Sequence, residues 1–300
     1  MDWSAVFNLS TLLNAINTAT IVILAGLGCL LTDQAGMMNI GIDGMMVAGA
    51  FAAVMGSWLC NSWVMGLVFA LAVGLLFGMF FGLFVIRFKS DEFIIGVALN
   101  IFAMALTTFM LRSIPGQNGS FHPSTGAVVK LPDLNLGVIG GVPVTINMMV
   151  IVALVLVVLC WVMLYRTPLG FWLHASGEQP ESLRSVGRSP EKMKYLAANL
   201  CGMLCGLSGA YLSLGYLSTF TENMSASRGY VAVACVIFGR ANPPLVFLAA
   251  LLFGFVDAAG TRMQGVINPT LTATFPYIGT ILMMVLLAMR DLWKKRRAAR

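Results

Sequence analysis

Charge is what this chain has least of. Only 10% of its 300 residues are Asp, Glu, Lys or Arg, against the ~25% that a soluble domain carries on its surface. Hydrophobic residues make up 59%, and the mean hydropathy is +0.88. Such a chain cannot clothe itself against water, so the solvent it is built for is lipid. Histidine is almost missing as well: His122 and His174 are the only two, and both fall in loops. The stretch GLSG at 206–209 copies a serine-protease motif, but the serine has no base within its span, which excludes that chemistry. No Gly-x-x-x-x-Gly-Lys-Ser/Thr stands anywhere, so the chain has no P-loop with which to bind ATP, and no His-Glu-x-x-His or metal cluster is present. The opening MDWSAVFNLS has an acid and lacks the basic region of a signal peptide, so the first apolar segment is expected to be retained. The six cysteines (29, 60, 160, 201, 205 and 235) all lie in apolar segments. Apart from Cys201 and Cys205, one helical turn apart, they show no paired spacing and read as small buried hydrophobes.

Apolar length is what the sequence has in abundance. A run of about 20 such residues crosses the hydrocarbon layer. Runs of that size cover 11–31, 37–59, 63–86, 93–111, 144–165, 195–216, 243–261 and 271–289. A shorter one, 229–239, is a half-helix or part of a broken one. The pattern predicts an all-α, polytopic integral membrane protein with eight full spans and one irregular span, in a single domain over 1–300. A β-barrel would show short alternating strands instead.

Lys and Arg accumulate on the cytoplasmic side of membrane proteins. The tail RDLWKKRRAAR at 290–300 therefore belongs inside. Counting back with nine crossings puts 14 of the 18 basic residues inside, among them those of 87–92 and 166–194. It puts 113–143 and the N-terminus outside. The net charge of +6 is thus an orientation signal and gives no reason to expect nucleic acid as a partner.

Two loops are long. The outer one, 113–143, is rich in Gly, Pro and Ser and reads as an ordered cap or a re-entrant hairpin. The inner one, 166–194, contains PESLRSVG at 180–187. Pro180 suits a first helical turn, Glu181 the positive end of the dipole, and Gly187 a helix terminus. A short helix against the membrane is expected there. A faint internal repeat links GLLFGMFFG (74–82) with ALLFGFVDAAG (250–260), each preceded by a Gly-containing polar stretch, 39–50 and 223–235. By the charge count the two copies run in opposite senses, as in transporters built from inverted repeats with broken helices.

Polar groups inside the spans are few. An ionisable group in a membrane is costly and faces a cavity or a partner. Asp43 and Asp257 are the carboxylates, with Glu222, Asn223 and Arg228 ahead of the short run and Asn39, Asn100 and Asn199 as amides. Asp43 and Asn39 can line a permeation path, cap the helix that follows them, or sit at a wet interface. Asp257 is five residues from Arg262, a poor same-face spacing, so its contact is expected on another helix or subunit. Asn100 and Asn199 can equally be interhelical hydrogen bonds. Gly202, Gly206, Gly209 and Ala210 read as close-packing positions.

Four stretches carry a resemblance: GMMNIGIDGMMVAGAF (36–51), SDEFIIGVALNIFAMALTTFMLR (90–112), ASGEQPESLRSVGRSPEKMKYLAANLCGMLCGLSGAYLSLG (175–215) and TENMSASRGYVAVACVIFGRANP (221–243). The chain resembles the membrane permeases of bacterial ABC importers in the branched-chain amino acid and simple-sugar superfamily, nearest the shorter of the two paired nucleoside permeases. Asp43 stands where that family usually has Glu. The resemblance implies a permease that is itself no enzyme and binds no cofactor. ATP and magnesium belong to a separate ATP-binding subunit. An extracytoplasmic binding lipoprotein and a second permease subunit complete the assembly in the plasma membrane lipid. Carried onto this chain, Gly177, Glu178, Pro180, Glu181, Ser182, Leu183, Ser185, Val186 and Gly187 form the segment coupled to the ATPase. Asn39, Asp43, Gly44, Asn100, Glu222, Asn223 and Arg228 become path or gate residues. A ribose-type sugar permease and an ion-coupled secondary transporter are the competing readings.

Overall fold

The computed structural model describes residues 9–114, 116, 118–121, 128–139 and 142–263. Along the chain the elements are α1 (Leu9–Gln34), α2 (Ile42–Cys60), α3 (Trp63–Gly82), α4 (Glu92–Ser113), β1 (Asp133–Ile139), β2 (Val142–Asn147), α5 (Met148–Arg166), α6 (Pro168–Glu178), α7 (Pro180–Ser185), α8 (Pro190–Ala210), α9 (Arg228–Phe238) and α10 (Pro243–Met263). α3 and α8 each run on into a π-helical turn, Leu83–Arg87 and Tyr211–Tyr216. Seven helices among the described residues are long and apolar enough to cross a membrane. The expected span at 271–289 lies outside the described residues, as does the basic tail. α9 is the irregular segment: its 11 residues reach about 16 Å, half the hydrocarbon thickness.

Short polar side chains start several helices. Asp91 Oδ1 accepts from the amides of Phe93 and Ile94 at 2.9 and 3.1 Å. Asn147 Oδ1 accepts from Met149 at 3.1 Å, and Ser189 Oγ from Lys192 at 3.3 Å. Each satisfies first-turn donors that the helix leaves open. α2 and α9 have no cap from the residue before them, although both begin inside the bundle.

α1 and α2 are buried on nearly all sides and form the centre with α8. α3 lies on α8 and α10 on α1. The α3–α8 contact is backbone to backbone. A Cβ at Gly202 would fall 2.1 Å from the carbonyl oxygen of Gly74, so only glycine fits there. Gly206 and Gly209 make the same kind of approach to α3 and α2, which is how small residues let membrane helices meet. α3, α4 and α5 turn their remaining faces outward with Phe80, Ile101, Phe109 and Val158 exposed, an apolar surface suited to lipid.

The two ends of the bundle differ. At one end the described part of 113–143 forms a cap. Phe121 N donates to Phe220 O at 2.8 Å, and Leu131 N to Leu214 O at 3.2 Å. Ser57 Oγ exchanges hydrogen bonds with the backbone of Val129. The chain then enters the antiparallel β1–β2 hairpin, with Asp133 opposite Asn147. The described residues thus include a hairpin beside the segments laid over this end of the bundle. At the other end α6 and α7 meet the turn after α1. Gln34 Nε2 donates to Ala241 O at 2.6 Å, and Gly177 lies against Gly36. Gly36, Val85, Glu92, Glu181, Arg184 and Lys194 are among the residues that line one cleft of ≈ 350 Å³ at this end. The segments that charge counting assigned to one side, 87–92 and 166–194, thus sit together.

Candidate functional site: a knot of broken helices and an exposed short helix

The lead-in to α2 departs from the expected span. Helix over 37–59 was the sequence expectation, but α2 starts only at Ile42, and residues 37–40 are non-helical. Asn39 explains the delay. Its Oδ1 accepts from Gly41 N at 2.9 Å, a local turn that competes with helix. Its Nδ2 reaches Cys201 Sγ on α8 at 3.3 Å. Asn39 is fully buried.

The first turn of α2 is capped from another helix. Asn100 Oδ1 accepts from Gly44 N at 2.7 Å. Asn100 Nδ2 donates to Ile40 O and to Tyr230 Oη, both at 3.0 Å. One amide therefore ties α4 to the break before α2 and to α9. Asn100 lies eight residues into α4, about 12 Å from its start, so the tie is well inside the membrane. A Cβ at Gly44 would fall 2.7 Å from Asn100 Cα, so glycine is required for that contact.

Asp43 overturns two expectations. It does not cap its own helix, and it does not sit in water at an interface, being 1% exposed. Its Oδ1 accepts from Gly229 N at 3.0 Å, and its Oδ2 from Ser225 Oγ at 2.9 Å. A carboxylate in the first turn of α2 therefore caps the start of α9. The positive end of α9 favours a negative charge there. A Cβ at Gly229 would fall 2.5 Å from Asp43 Cα, so α9 can come this close only with glycine at that position.

Arg228 completes the knot. Its Nη2 donates to Asp257 Oδ2 on α10 at 3.3 Å, and its Nη1 to Ser225 O at 3.5 Å. Asp257 thus finds a partner on another helix, as its depth required. Arg228 Nε is buried, with no acceptor among the described residues.

The structure separates the rest of the sequence-derived path set. Glu222 sits at the capped end, where its amide donates to Gly119 O at 2.8 Å and its carboxylate is 3.8 Å from Arg112. Asn223 occupies the turn before α9 at φ 55°. Asn39, Asp43, Gly44, Asn100 and Arg228 are drawn into one cluster. Ser225, Gly229, Tyr230 and Asp257 join it without having been named as site residues. Ser225 and Gly229 lie inside the stretch 221–243 already singled out, so their place beside Arg228 was a usable signal. Tyr230 gave none.

The second feature is α7. Pro180 opens it and Glu181 lies in its first turn. Gly187, at φ +78°, ends it, with Arg188 N donating to Leu183 O at 3.1 Å. Leu183 is the buried anchor, while Glu178, Glu181, Ser182, Ser185 and Val186 are exposed. Arg184 bridges Glu181 and Glu191. Those carboxylates, Glu191 foremost, push its pKa above the usual guanidinium value. Arg188 stacks over the Trp172 ring at 4.1 Å. Gly177 differs from its neighbours in role. It faces Gly36 inside the fold, not the exposed surface.

Comparison with known proteins agrees with this architecture. Residues 11–289 match the family described as the permease component of the branched-chain amino acid transport system. TsgC13 of Haloferax volcanii, an ABC transporter permease provisionally named for glucose, is 31% identical over 90% of this chain and 89% of its own length. The guanosine ABC transporter permease NupQ of Bacillus subtilis is 29% identical over 82% of each chain. The nucleoside ABC transporter permease NupC of Lactococcus lactis is 26% identical over 91% of this chain and 90% of its own. No solved structure matches the chain. With a family match across nearly all its length and seven described helices long and apolar enough to cross a membrane, this multi-pass chain belongs to the permease family of the branched-chain amino acid transport system, of the ABC transporter type.

Proposed function

We propose that this chain is the membrane path of an ATP-driven importer that carries nucleosides across a bacterial plasma membrane. A separate subunit hydrolyses ATP, with its magnesium. A binding lipoprotein delivers the solute from outside, and a second permease subunit completes the path. The tail and 166–194 face the cytoplasm, and 113–143 faces outward. One structural observation carries the reading. The short helix α9 starts against the first turn of α2 inside the bundle, and Asp43, Asn100 and Gly229 hold the two together. Broken helices of this kind mark solute sites in transporters. The likeness to the guanosine and nucleoside permeases supports the substrate class.

In this reading α7 seats in the ATPase. Leu183 fixes it to the permease, and Glu181, Ser182, Ser185 and Val186 face the partner. Closure of the ATPase moves α7, then α6, whose Gly177 presses on Gly36 and so on the lead-in to α2. The likeness to TsgC13 favours a second reading, in which the solute is a simple sugar. Uptake of radiolabelled guanosine, adenosine, ribose and glucose tests both, in cells expressing the chain with its ATPase, second permease and binding protein. Guanosine uptake that disappears with Glu181→Arg is the expected result. Sugar uptake alone would replace the substrate. Uptake that persists without the ATPase would overturn the importer.

A further inference from the structure

The knot leaves a hydrogen-bond donor without an acceptor at a partly exposed position. Asn100 directs one N–H at Ile40 O and the other at Tyr230 Oη. Tyr230 Oη is therefore the acceptor in that bond, and its own O–H points elsewhere. Among the described residues no acceptor receives it. An unpaired polar group in hydrocarbon is costly. Tyrosines that face lipid sit at the two interfaces, where their hydroxyls reach water. Tyr230 is deep, at the level of Asn100, yet its residue surface is 44% exposed. Lipid cannot serve that hydroxyl, whereas a wet path can. Arg228 and Asp257 point the same way, because their side chains keep 22% and 28% of their surface at a depth where a charge pair cannot face hydrocarbon.

We propose that Tyr230 is a specificity-determining contact for the solute. Its ring face stacks on a flat heteroaromatic base, and its O–H donates to a carbonyl oxygen or ring nitrogen on that base. Asn100 is a positioning residue, since it holds the phenol oxygen and so sets the plane of the ring. This rests on the nucleoside reading and sharpens it. A sugar would use the donor but would gain far less from the ring face than a base does.

The test uses the whole transporter in cells, with radiolabelled guanosine. A binding protein delivers the solute, so a contact inside the permease shows in the maximal rate and leaves the apparent KM in place. Tyr230→Phe keeps the ring and removes one donor, for an expected loss of about fivefold in maximal rate. Tyr230→Leu also removes the stack, for a further loss of about tenfold. Immunoblots of the membrane fraction exclude a folding loss. In parallel, Tyr230→Cys in a Cys60→Ser background is treated with a water-soluble thiol reagent. Labelling is expected, slowed by guanosine. Guanosine uptake at the full rate in Tyr230→Leu, or a cysteine at 230 that the reagent never reaches, would overturn the assignment while leaving the nucleoside reading intact. A wild-type transporter that takes up glucose and no nucleoside would overturn both.

Discussion

A carboxylate 1% exposed among apolar helices is tolerable only when its oxygens are occupied, and both oxygens of Asp43 are. Removing it strands two buried donors, the Gly229 amide and the Ser225 hydroxyl. Each orphan costs about 1–3 kcal/mol, against a typical total stability of only about 5–15 kcal/mol. Asp43→Ala is therefore expected to abolish uptake while the protein still inserts. Uptake assays and membrane-fraction blots check this together, and normal uptake would remove Asp43 from the site. The Arg228–Asp257 pair makes a different prediction. Losing one partner leaves the other charge uncompensated within the membrane, whereas losing both does not. Arg228→Ala is expected to lower the melting temperature of the purified transporter more than the Arg228→Ala/Asp257→Ala double variant does. A double variant whose loss equals the sum of the two single losses would show that the pair is uncoupled.

At the scale of elements, two contacts matter most. The α3–α8 seam depends on a glycine stripe, and Gly202→Ala puts a Cβ 2.1 Å from the Gly74 carbonyl oxygen. Backbone cannot yield as a flexible side chain can, and overpacking of this kind costs typically 1–3 kcal/mol, occasionally more. The variant is expected to melt earlier and to yield less protein, as size-exclusion chromatography with a thermal ramp would show. On α7 the two apolar residues should separate cleanly. Leu183 is 3% exposed and Val186 74% exposed. Leu183→Ala should loosen α7 on its own scaffold, with a cost of about 2–5 kcal/mol for a buried leucine. Val186→Asp should leave the melting curve unchanged and weaken co-purification of the ATPase. A Val186→Asp variant that binds the ATPase normally would place the docking surface elsewhere.

For the whole molecule, the orientation gives the clearest experiment. Cys60 is the one exposed cysteine of six, at the capped end of the bundle. With that end outside, a membrane-impermeant maleimide should label Cys60 in intact cells. Ser185→Cys, on α7, should label only after the membrane is opened. The reverse pattern would invert the chain and with it the assignment of α7 to the ATPase.

What the sequence determined by itself follows from quantities that need no partner in space. Apolar length decides whether a helix crosses, so the membrane class and seven described spans could be read directly. Lys and Arg bias grouped 87–92 with 166–194, which the fold brings to one end. Cap chemistry is local too, so α7 from Pro180 to Gly187 was legible residue by residue. The start of α2 was not, because Asn39 holds residues 37–41 out of the helix by bonding Gly41 and reaching Cys201, 162 positions away. Nor was the partner of Asp43. Nothing near it in the chain signals that its carboxylate caps a helix 186 residues later, or that Asn100 caps α2 in exchange. Buried polar groups must find partners wherever packing brings them, and in lipid no water can substitute. Only the tertiary structure could decide those pairs, and with them the separation of Glu222 from the knot and the entry of Tyr230 into it.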